Sequence, residues 1–207
     1  MTRAALVGRL LSFVARLITG AQGHWRGCAP EAVQRIYFAN HQSHLDWVLI
    51  WASLPGELRE RTRPIAARDY WTATPLKHWI TREVFRAVYV DRQRQGDEDP
   101  LAPLLQALDQ GDSLVIFPEG TRGSREEPQP FKSGLYHLAR QHPQAQLVPC
   151  WISNVQRVMP KGEVVPVPIL CSVSFGAPLA LGEGEDKADF LARARLAVLA
   201  LRPPGGR

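Results

Sequence analysis

Apolar side chains recur at helical spacing from Ala4 to Ala21. At about 100° per residue, Leu6, Val7, Leu10, Leu11, Phe13, Val14, Leu17 and Ile18 share one broad face, with Arg9, Ser12 and Arg16 opposite. The segment predicts an amphipathic helix with a cationic stripe, ended by Gly20 and Gly23. Such a helix either lies in an anionic membrane surface or packs on the protein's own core. Arg9 and Arg16 break the apolar run, which argues against a membrane span and a signal peptide.

Downstream, short apolar runs alternate with helical patterns. Strands are expected at 36–39, 64–67, 87–90, 113–117, 146–152 and 169–175. Helices are expected at 44–54, with Ser43 as a cap, and at 75–85, 97–110, 131–141 and 187–201. Interleaved strands and helices predict an α/β fold of one layered domain. There is no internal repeat and no linker-like stretch.

A chain of 207 residues with 45% hydrophobic and 22% charged positions can fold on its own core, which excludes a disordered or fibrous class. The net charge of +5 favours anionic partners without choosing among them. Its distribution says more: residues 1–30 hold Arg3, Arg9, Arg16 and Arg26 and no acid. The odd cysteine count (Cys28, Cys150, Cys171) has no disulfide spacing, and Cys150 and Cys171 sit in apolar runs as small core residues.

Candidate chemistry gathers where strands end. Asn40-His41-Gln42-Ser43-His44-Leu45-Asp46 spans a strand-to-helix junction, the place where α/β sheets bind ligands. On one regular helix His41 and Asp46 would point about 140° apart. With His41 in the turn and Asp46 in the first helical turn, the carboxylate folds back onto the imidazole. It then fixes the tautomer and raises the basicity of the other ring nitrogen, which makes a general base. Phe117-Pro118-Glu119-Gly120-Thr121-Arg122 follows the clearest buried strand. Gly120 permits close backbone approach and Arg122 can fork onto a phosphate, although the same residues suit an ordinary turn with an ion pair. Lys132 at a helix start offers another anion contact or a solvated charge, and Arg92 ends a strand in the same way. His41, His44 and Asp46 lack a second His/Cys cluster to complete a metal site, so no metal is expected. There is no Gly-x-Ser-x-Gly and no phosphate-binding Walker loop.

Four blocks in order, Asn40–Asp46, Val90–Arg92, Phe117–Arg122 and Val148-Pro149, resemble those of the glycerolipid acyltransferase family, the PlsC-like 1-acylglycerol-3-phosphate acyltransferases. The likeness spans residues 36 to 151. It implies a mixed β-sheet flanked by helices, with His41 as catalytic base and Asp46 as its partner. It also implies acceptor-phosphate binding by Arg92, Glu119, Gly120 and Arg122 with support from Lys132, and adds Asn40, Ser43 and Thr121 to the substrate-binding set. The sequence departs from the family pattern at Arg86 (usually glycine), Gly123 (usually serine) and Cys150 (usually aliphatic).

The expected organisation is an N-terminal amphipathic membrane-associating helix over 1–27 and an acyltransferase domain over 28–207. The expected reaction moves an acyl group from acyl-CoA or acyl-carrier protein to the hydroxyl of 1-acylglycerol 3-phosphate, giving phosphatidic acid. It needs no cofactor. Partners are the lysophospholipid, the acyl thioester and a membrane surface, not nucleic acid. The expected location is peripheral, on the cytoplasmic face of the membrane. Alternatives are the same chemistry on glycerol 3-phosphate, another lysophospholipid or a lyso-aminolipid, and, more remotely, a non-catalytic basic module binding membranes or nucleic acid.

Overall fold

A computed structural model describes residues 3–19, 22–43, 46–91, 99–123, 127–153 and 171–203. Seven strands form one sheet: β1 (Gln22–Trp25), β2 (Arg35–Ala39), β3 (Thr62–Ala67), β4 (Val88–Val90), β5 (Ser113–Ile116), β6 (Gln146–Ser153) and β7 (Ser172–Phe175). Their order across the sheet is β1-β7-β6-β2-β5-β3-β4. Only the β6–β7 pair is antiparallel, so the sheet is mixed, as expected.

The central strands are apolar because both of their faces are covered. In β2 the alternation splits the core in two. Tyr37 and Ala39 join Val115, Val148 and Cys150 beneath α2 (Asp46–Ser53). Ile36 and Phe38 join Leu114, Ile116 and Leu147 beneath α6 (Ala102–Asp109), α7 (Gly134–Gln141) and α8 (Lys187–Leu199). Cys150 and Cys171 are buried in the first cluster, as their apolar surroundings predicted. Burial pushes the Cys171 thiol up to about 11, with nearby Asp46 adding to the rise. Three short helices, α3 (Gly56–Glu60), α4 (Arg68–Trp71) and α5 (Pro75–Trp79), connect β2 to β4. A π-helical turn, Ile80–Val84, extends α5.

One expectation needs correction. The division at residue 27 cuts through the sheet. Residues Gln22–Trp25 form β1, paired in parallel with β7, so the N-terminal segment is part of the domain. Gln22, Gly23 and His24 leave Trp25 as the one large apolar residue of this edge strand, so no apolar run betrays it. The N-terminal helix α1 (Arg3–Thr19) forms where predicted, and of its two expected dispositions the structure shows the one with an exposed apolar face. Ser12 and Arg16 of its polar stripe meet the protein, Leu11 packs at the edge of the core, and most of the apolar face does not. Ser12 is buried, and a Cβ added at Gly8 would lie 3.2 Å from Val84 and 3.6 Å from Trp51. Small residues let α1 approach α2 closely. Arg16 then donates from Nε to the Ala52 carbonyl at 2.8 Å, at the end of α2, where carbonyls lack helical partners. Leu6, Leu10, Phe13 and Leu17 are left 58–71% exposed on the outer face.

Candidate active site

The carboxyl ends of parallel strands β2, β3, β4 and β5 converge on one edge of the sheet, and the candidate residues follow them. His41 stands two residues beyond β2, in the turn before α2, and Asp46 is the first residue of α2. The Asp46 carboxylate folds back over this turn. Its Oδ2 accepts from the backbone amides of Gln42 at 2.6 Å and Ser43 at 2.9 Å, and lies 2.8 Å from His41 Nδ1. Asp46 is fully buried. A buried, hydrogen-bonded carboxylate at Nδ1 orients the ring and leaves Nε2, on its opposite side, as the basic nitrogen. The imidazole stacks on Phe117, with centroids 4.3 Å apart and planes 15° from parallel. Its side chain keeps 19% of its surface accessible, so the ring is held but open.

The loop after β5 grips the backbone of the same residue. Glu119 is 3% exposed. Its Oε1 accepts from the His41 amide at 2.7 Å and its Oε2 from the Gln129 amide at 2.8 Å. The Gly123 amide donates to the His41 carbonyl at 2.8 Å. Glu119 was expected among phosphate-binding residues. A buried carboxylate engaged on both oxygens repels a phosphate, and here it fixes two loops instead. Burial raises the Glu119 carboxyl above the usual range, partly offset by the two amide donors and by His41.

Gly120 follows with φ of +68°, and a Cβ there would come within 2.6 Å of Lys132 Nζ. The missing side chain is what lets the lysine lie over the turn. Lys132, Gly120 and His41 all line one cavity of about 300 Å³. Its remaining wall is largely apolar and comes from several elements, among them Trp47, Trp71, Val90, Leu104 and Leu138. Arg122 and Thr121 are exposed in the same loop. Arg122 makes no hydrogen bond or ion pair among the described residues, and its neighbour Gly123 is bonded to His41.

Other expected site residues do not meet a ligand space. Asn40 is 1% exposed, and its amide exchanges two hydrogen bonds with the backbone of Ile152, at 3.2 and 2.8 Å. It ties the end of β2 to β6 and so braces the turn that carries His41. Ser43 is buried, and its amide serves Asp46. Arg92 and His44 lie outside the described residues. No group of three or more potential metal ligands occurs among the described residues. Conversely, sequence reasoning missed Trp47, Trp71 and the stacking role of Phe117. Phe117 stood within the glutamate-bearing block; Trp71 carried no local signal.

The acyltransferase family model matches residues 28–153. The 1-acyl-sn-glycerol-3-phosphate acyltransferase alpha of Mus musculus is 34% identical over 161 residues, which cover 75% of this chain and 53% of that protein. The Homo sapiens protein of the same name is 34% identical over 154 residues, covering 72% and 51%. The chain thus spans about half the length of these curated relatives. In fold it is similar to the crystal structure of the 1-acyl-sn-glycerophosphate (LPA) acyltransferase PlsC from Thermotoga maritima, with TM-score 0.73 and 18% identity, covering 95% of this chain and 78% of that one. The matched region contains the His41–Asp46 pair and the glutamate loop that clamps it, and this chain belongs to the acyltransferase family.

Proposed function

We propose that the chain transfers a fatty acyl group from an acyl thioester, on CoA or a carrier protein, to the free hydroxyl of 1-acylglycerol 3-phosphate. The product is phosphatidic acid. The carrying observation is the imidazole braced by Asp46 in the wall of a largely apolar cavity that Lys132 also lines.

Each group has a stated part. His41 Nε2 removes the acceptor hydroxyl proton as that oxygen attacks the thioester carbonyl. The tetrahedral adduct collapses, the carbon–sulfur bond breaks, and the imidazolium returns the proton to the departing thiolate. Asp46 stabilises the transient imidazolium. Lys132 and Arg122 supply cationic contacts for the acceptor phosphate, so binding energy remote from the bond change places the hydroxyl near His41. The apolar lining suits the fatty chain. No step calls for a metal or a cofactor. Catalysis at a peripheral, cytoplasmic-face membrane site fits the outward apolar face of α1. No helix among the described residues is long and apolar enough to cross a membrane.

The test is mass spectrometry of lipids formed from mixed acceptors and an acyl thioester. Acceptors offered are 1-acylglycerol 3-phosphate, glycerol 3-phosphate, a neutral-headgroup lysophospholipid and a lyso-aminolipid. Phosphatidic acid should dominate, and His41→Ala should lower its formation about 10²–10⁴-fold, the usual worth of general-base assistance. Near wild-type turnover by His41→Ala would reject the assignment.

A further inference from the structure

A second cavity, of about 440 Å³, shares no lining residue with the first. It lies between α6 and the β3–β4 edge of the sheet, and three arginines line it: Arg63, Arg68 and Arg86. Two of them are already paired. Arg63 is buried and grips Asp112 through Nε at 3.0 Å and Nη2 at 2.9 Å. Arg68 lies 3.1 Å from Asp91. Arg86 is exposed and makes no ion pair or hydrogen bond among the described residues, which leaves the cavity with an unmatched positive charge. Gln106 of α6 and Gln110, just past its end, add exposed amide groups to the same wall.

The backbone under Arg86 singles it out. Its φ is +49°, the left-handed region, and among the described residues it is the one non-glycine with positive φ. It stands just past the π-helical turn, where the Ala87 amide bonds back to the Thr81 carbonyl at 2.9 Å. This is a helix stop, a place where glycine is the ordinary occupant. An arginine kept in a strained position beside two other guanidiniums points from the backbone outlier to a binding role.

We propose that this cavity is a second anion site, taking a phosphomonoester borne on a group of nucleotide size. The volume lies within the range of small-molecule sites. A guanidinium fork and side-chain amides provide the N–H donors that phosphate oxygens accept. The same phosphomonoester could come from the nucleotide end of an acyl donor or from a free nucleotide.

The experiment is calorimetric titration of the intact chain with adenosine 3′,5′-bisphosphate and, separately, inorganic phosphate. The bisphosphate should bind saturably, Arg86→Gly should weaken it at least tenfold, and Arg122→Ala should leave it unchanged. Arg86→Gly should melt no lower than wild type, because glycine fits the left-handed position. Competition by CoA would assign the site to the donor; binding without that competition would assign it to a free nucleotide. Absence of saturable binding at millimolar bisphosphate overturns the proposal. So does equal affinity in wild type and Arg86→Gly, or loss of binding in Arg122→Ala alone, which would place the ligand at the catalytic cavity. No readout here depends on acyl transfer.

Discussion

Glu119 holds His41 by its backbone: a carboxylate 78 residues away in sequence accepts the amide proton of the residue whose side chain Asp46 orients. The imidazole is therefore positioned from two directions, through its ring and through its main chain. Glu119→Gln keeps one good acceptor and turns an NH2 group toward the other amide. An unsatisfied buried amide costs about 1–3 kcal/mol, so chemical denaturation should show a loss of that size, and kcat should fall with it.

The same variant tests a pH dependence. Because burial raises the Glu119 carboxyl in the folded chain, the folded state binds its proton more readily than the unfolded state does. The linked stability is fully present below the ordinary glutamate value of about 4.3 and is lost as pH rises through the raised value. Wild type should therefore exceed Glu119→Gln most in mild acid, and the gap should narrow as pH rises. A gap that widens with pH would show that the two amide donors outweigh burial at Glu119.

Asp46 offers an isosteric probe. All three of its donors meet Oδ2, and Oδ1 is buried without a partner among the described residues. In Asp46→Asn the amide oxygen can take the Oδ2 place and the NH2 the empty one, so unfolding should remain cooperative. The negative charge beside the imidazole is lost, however. Turnover should drop by at least a hundredfold with little change in circular dichroism. Retained turnover would remove Asp46 from the mechanism.

The outward face of α1 is tested by Phe13→Glu with Leu17→Glu. Both side chains are largely exposed, at 62% and 71%, so the melting temperature should barely move. Burying one such side chain in an apolar phase is worth about 1.5–3 kcal/mol. Co-sedimentation with anionic vesicles should therefore fall at least tenfold. Unchanged vesicle binding would show that α1 does not meet the lipid.

Gly134 lines the His41 cavity at the start of α7, and a Cβ there would touch Leu101 at an ordinary 3.6 Å. Gly134→Leu fills space without strain, since a helical glycine already costs about 0.5–1 kcal/mol relative to alanine. The variant should keep its melting temperature and shift toward shorter acyl chains. A missing methylene's worth of room changes discrimination by roughly tenfold or more, readable from competing acyl thioesters. An unaltered chain-length profile would place the acyl chain elsewhere.

Strand and helix periods along the chain were enough to anticipate α1, the central strands and the α/β class, because burial on a sheet or helix face imposes those periods locally; that the sheet is mixed came from the resemblance. The spacing of His41 and Asp46 around a strand-to-helix turn made their pairing possible, since only five residues separate them, and the resemblance to the acyltransferase blocks selected it. Packing alone decided the rest. Which face of α1 turns inward depended on Gly8 and Ser12 permitting close approach and on Arg16 finding the free carbonyls of α2. Glu119 became a clamp, and Asn40 a brace, through partners far away in sequence. Periodicity reports which residues avoid water. It carries no record of which distant backbone group a buried polar atom will meet, and that meeting is what shaped the site.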